Sequence, residues 1–149
     1  MEFTLRFSTL CLVLLMSSLS VFAANNAINI NAQGVAIHGF DPVAYFTDGK
    51  PVKGNDTMHY QWSNATWLFA NANNQQAFID SPTRYAPQFG GFCAYAASSG
   101  HFADTEPDAW SIVNDKLYLN YNQSVRGIWN ANRNAFIRKA EEHWPTMRQ

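Results

Sequence analysis

Met58-His59-Tyr60-Gln61-Trp62, Ser63-Asn64-Ala65, Thr66-Trp67-Leu68-Phe69: this run decides the fold. Its first five residues alternate apolar and polar side chains, the period of a half-buried strand. Ser63-Asn64-Ala65 turns the chain and Thr66 to Phe69 returns, so the whole run reads as a β-hairpin. Downstream, Asn71 is placed to cap a helix reaching about Ile79. Ser81-Pro82 stops that helix and opens a short turn through Tyr85. A polar loop from Asp104 to Asp108 precedes a second hairpin: Trp110 to Val113, the turn Asn114-Asp115-Lys116, then Leu117 to Tyr121. A long last helix is predicted from about Ser124, with Val125, Ile128, Trp129, Phe136, Ile137, Ala140 and Trp144 on one face and Pro145 ending it. Upstream, the apolar run Val35-Ala36-Ile37 is broken by Gly39-Phe40-Asp41-Pro42, where Asp41 reads as an N-cap and Pro42 as the first helical residue. Nothing resembling a repeat or linker intervenes. The chain reads as one small α+β domain, residues 35–145, with two antiparallel β-hairpins, short helices and a long C-terminal amphipathic helix. Trp62, Trp67, Phe69, Phe78, Tyr85, Trp110 and Trp129 are its expected core.

Residues 1–23 read as a secretory signal: Arg6 supplies the basic end, Phe7 to Met16 the apolar stretch, and Val21-Phe22-Ala23 the small residues before cleavage. The apolar stretch is shorter than the roughly 20 residues a bilayer span needs, so no membrane attachment is expected after cleavage. Cys11 would leave with the signal. Residues 24–34 are Asn-rich and read as a flexible leader. The expected destination is the periplasm or the exterior. Charged residues make up 14% of the chain and the net charge is −1, which leaves no electrostatic footprint for nucleic acid or an anionic membrane. Aromatic residues make up 15%, enough to build a core of large rings and to line a pocket as well.

Cys93, in Gly90-Gly91-Phe92-Cys93-Ala94-Tyr95, would be the one cysteine of the mature chain. In an oxidising compartment an unpaired thiol is buried, reactive, ligand-bound or joined to another chain, and all four readings are open here. As a buried residue it is a small hydrophobe beside Phe92 and Tyr95. As a metal ligand it would need partners, and His38 and His101 stand on loops from which they could converge on it. A thiolate with imidazoles suits copper or zinc. As a nucleophile it lacks a fixed positive charge nearby to lower its pKa, and an intermolecular disulfide would make a dimer. His59 lies on the polar phase of its strand and His143 near a helix C-terminus. Asp104, Glu106 and Asp108 lack the glycine and distal glutamate of a calcium loop and read as a solvated turn.

Three blocks carry a family resemblance. Asp41-Pro42-Val43, the hairpin ending Trp67-Leu68-Phe69, and Phe78-Ile79-Asp80-Ser81-Pro82-Thr83-Arg84-Tyr85 together resemble the YHS domain, over residues 41–85. With His38 to Phe46, Gly90 to Tyr95 and Lys116 to Tyr121 added, the chain is similar to the exported single-domain YHS proteins of bacteria. The resemblance implies the fold and a binding role. Where metal-binding YHS domains carry thiols, this chain has Ala44, Ala70 and Asn74. The expectation is therefore an exported binding domain, not an enzyme, that takes a small ligand or metal ion near Cys93. The alternative is a thiol-dependent redox or catalytic protein using Cys93.

Overall fold

The computed structural model describes residues 27–149, and the hairpin forms in it as β1 (Asn55–Trp62) paired antiparallel with β2 (Ala65–Phe69). Tyr60 lies opposite Trp67 and Trp62 opposite Ala65. The loop is two residues long, Ser63 and Asn64, with φ of 53° and 57°. Positive φ at both positions gives the turn whose twist matches that of the strands it joins, so Ala65 already belongs to β2. The second hairpin repeats the device. Strands β3 (Trp110–Val113) and β4 (Lys116–Leu119) are joined through Asn114 and Asp115, at φ of 51° and 59°.

α1 (Ala44–Thr47) precedes the first hairpin, and α2 (Ala72–Asp80), α3 (Pro82–Tyr85) and α4 (Ala94–Ala97) lie between the two. Asn71 caps α2 as expected, its side chain accepting from the Asn74 N–H. Asp41 and Pro42 do not open the helix as expected, since α1 begins at Ala44 with Val43 at its N-cap; Asp41 is instead a buried junction. Its carboxylate is fully buried and accepts from four donors: the Val43 and Ala44 amides on Oδ1, and the Ala70 amide and Asn74 Nδ2 on Oδ2. The start of α1, the end of β2 and the first turn of α2 thus meet on one side chain. A buried charge is tolerated only with such saturation.

The long last helix is broken in two. α5 (Gln123–Ala131) and α6 (Arg133–Met147) meet at Asn132, whose φ of −147° leaves the helical region. The junction falls in Asn130-Ala131-Asn132-Arg133-Asn134, where asparagines favour local bonding over helix continuation. Ile128, expected on the buried face, is 52% exposed. α6 also runs through Pro145 to Met147 rather than stopping there.

Of the expected core, Trp67, Phe69, Phe78 and Trp129 are fully buried, while Trp62, Tyr85 and Trp110 are half-buried. Two clusters form. The first gathers β1, β2 and α2 around Phe78, whose ring meets those of Tyr60, Trp62, Trp67 and Phe69. The second joins α4, α5 and α6 to the second hairpin around Trp129, Tyr118 and Phe89.

The signal assignment and residues 24–26 lie outside the described residues. The rest of the expected leader is part of the fold. Gly34 and Ala36 exchange backbone bonds with Thr66 on the free edge of β2, Ile30 bridges Ala36, and Ile28 and Asn29 are buried. An open strand edge is a template for pairing, and this segment supplies the pairing despite its polar composition.

Candidate functional site

Two stretches of left-handed backbone make the frame of the site. Ile37, His38 and Gly39 have φ of 40°, 57° and 76°, and Phe89, Gly90 and Gly91 have φ of 53°, 62° and 81°. Such conformations are costly for non-glycine residues, most of all for β-branched Ile37, and persist only where the surroundings hold them. Here each turn holds the other. A Cβ on Gly91 would stand 2.5 Å from the Ile37 side chain, so only glycine fits. Asn29 stitches the two together: its N–H donates to Gly90 O, its carbonyl accepts from Ile37 N–H, and its Nδ2 donates to Gly91 O and to Asp104 Oδ1.

Asp104 is where these bonds converge. Its Oδ1 accepts from Asn29 Nδ2 at 2.8 Å, from the Thr105 amide at 2.7 Å, and meets His38 Nε2 at 2.7 Å. Oδ2 carries no partner among the described residues. Burial opposes the charge on Asp104, but the Asn29, Thr105 and His38 hydrogen bonds together outweigh it and hold the carboxyl below its ordinary value. The bond to a carboxylate places a proton on His38 Nε2. Lys53 Nζ donates to the His38 carbonyl and lies over the Phe40 ring. Both members of the pair reach solvent, with side chains 40% and 58% exposed. Beside them, Asp104, Thr105, Glu106 and Tyr121 line a cleft of about 200 Å³. Tyr45 anchors the far end of this loop, its hydroxyl donating to Pro107 O, and burial, helped by Asp108 and Asp41, pushes its phenol well above the ordinary value.

Cys93 sits one layer beneath. Its amide donates to Ala103 O and its Sγ lies 3.6 Å from Asn120 Oδ1, which also accepts from the Tyr95 amide. The residue is 1% exposed. The thiol is therefore a buried side chain beside the 103–106 loop, reachable by another chain or a reagent only through local opening. His38 has turned to Asp104, and His101 is exposed on the turn after α4. Among the described residues no three His, Cys, Asp or Glu side chains form a group able to hold a metal ion. Cys93, His38 and His101 are thus not assembled as a ligand set: Cys93 is buried, His38 pairs with Asp104 and His101 is exposed.

What the arrangement offers is a fixed, part-exposed acid–imidazole pair beside a small cleft. Among the described residues no hydroxyl or thiol hydrogen-bonds to the His38 ring, so no relay that activates a nucleophile is built among them. Three contributors escaped the reading of residue patterns. Asp104 was assigned to a solvated turn, and Asn29 lay in a leader with no periodicity. Asn120 did leave a signal, being a polar residue on the apolar phase of a strand run. A scan against family models and searches of curated proteins and solved structures each found no match.

Proposed function

We propose that this chain is an exported, non-enzymatic binding domain of the YHS type that takes a small polar ligand at the His38–Asp104 cleft. The carrying observation is the convergence of three donors on Asp104 Oδ1, which immobilises the carboxylate and leaves Oδ2 open toward solvent. A preorganised acceptor loses little freedom when it binds. With Glu106 and the half-exposed Tyr121 ring beside it, the cleft favours a donor-bearing, cationic group such as a primary amine. Burial of Cys93 counts against the thiol-dependent alternative and against copper or zinc held by that sulfur.

Titration with ethanolamine, followed by amide and aromatic NMR signals, tests this reading. Saturable shifts at Thr105, Glu106 and Tyr121 that vanish in Asp104→Asn are expected. Absence of such shifts would overturn the cleft assignment. Stoichiometric zinc binding lost in Cys93→Ser would restore the metal site instead. Sequencing the N-terminus of the protein recovered from its host tests export, with a start near Ala24 expected and Met1 contradicting it.

A further inference from the structure

A second cleft, separate from the His38–Asp104 site, has a different chemistry. It measures about 320 Å³, at the small end of ligand pockets, which run from about 300 to 1,000 Å³. Four separate stretches of chain wall it: the Ile28 segment, the β1–β2 turn, the left-handed turn at Phe89, and the end of α6. Trp62, Phe89 and Trp144 supply ring surface, with Phe89 and Trp144 packed edge to face at 5.8 Å. Gly90 forms part of the lining where a side chain would collide with Ala27 O, at 1.6 Å from the Cβ position. Ile28 faces this cleft while the neighbouring Asn29 reaches toward Asp104, so one extended segment separates the two sites.

The lining contains one ionisable side chain, Arg148, and no carboxylate. The Arg148 guanidinium has no ion-pair or hydrogen-bond partner among the described residues, where the His38–Asp104 pair is the salt bridge formed. Elsewhere the clefts differ: Asp104 and Glu106 line one, and Arg138 and Lys116 share another with the carboxylate of Glu141. An unpaired guanidinium beside three aromatic rings is complementary to a flat apolar ring bearing one oxyanion, since the fork of Arg matches a carboxylate in two bonds. We propose that this cleft binds a small aromatic carboxylate, its ring against Trp62 and Trp144 and its carboxylate on Arg148.

Naphthoate and its neutral isostere naphthamide are the probes, and the indole N–H NMR signals are the readout. Naphthoate should shift Trp62 and Trp144 saturably while Trp110, which is not part of the lining, stays in place. Naphthamide should bind at least about tenfold more weakly, and Arg148→Gln should remove that difference while Arg148→Lys restores part of it; a tenfold change is about 1.4 kcal/mol. Arg148 is exposed near the end of α6, so its variants should fold, and an unchanged indole spectrum without probe confirms that they do. The proposal fails if the acid and the amide bind equally, if Arg148→Gln leaves the preference intact, or if Trp110 shifts together with the other two.

Discussion

The two core clusters bury rings to the same depth but treat their polar atoms differently. Around Phe78 every buried polar group is answered: Trp67 Nε1 donates to Trp62 O at 3.0 Å, and Asp41 is saturated by four N–H groups. Around Trp129 two buried donors, Trp129 Nε1 and Asn120 Nδ2, have no partner among the described residues. A buried polar group without a partner costs about 1–3 kcal/mol, so the second cluster carries a load the first does not. The lesson is that aromatic burial organises both halves, while hydrogen-bond saturation distinguishes the first. Both candidate sites draw on the segments where the two meet.

The comparison breaks most visibly at its centres. Phe78→Ala removes a ring that meets four others and should cost about 5 kcal/mol in chemical denaturation, the upper end of large-to-small core changes. Trp129→Ala should cost about 3 kcal/mol, because the substitution also removes an unanswered donor. Equal losses would show that saturation does not distinguish the halves.

Asp41→Asn probes the saturated side with almost no change of shape. Two donors face each carboxylate oxygen, so either orientation of the amide sets its NH2 against two N–H groups. A loss of about 3 kcal/mol is expected. A loss under about 1 kcal/mol would mean the four bonds are not made together in solution.

A finer cut comes from Trp67→Phe beside Trp129→Phe. Both lose the same ring volume, but the first abandons a hydrogen bond and the second abandons an orphan. Trp67→Phe should be the more destabilising by about 1 kcal/mol, and a reversed order would place an unseen partner on Trp129.

The smallest effect concerns the site between the clusters. The Asp104 carboxyl is lowered in the folded state, so the unfolded chain binds the extra proton first and acid favours unfolding. Its contribution should be complete above the ordinary value of 3.8 and disappear as pH falls through the lower folded value. Asp104→Asn should flatten that part of the stability–pH curve. An unchanged curve would mean that the bonds to Asn29, Thr105 and His38 do not favour the charged form.

Much of the architecture is legible without coordinates because its causes are local. Alternation at Met58 to Trp62, the cap at Asn71 and the apolar phase that buries Trp67 and Trp129 each depend on residues a few positions apart, where strand and helix periods act. The α+β class and both hairpins follow from these. Contacts distant in sequence decided the rest. Asn29 finds Gly90 and Asp104 across sixty or more positions, and no pattern around it announces those partners. Ile37 and Phe89 adopt left-handed backbone because packing compensates a strain that propensity alone would forbid. His38 pairs with Asp104, whose carboxylate is also held by Asn29 and Thr105, while Cys93 is buried beside Asn120. Residue types therefore set which side chains could act, and tertiary packing set which of them meet, since a hydrogen bond or a buried thiol is created by neighbours that sequence distance does not reveal.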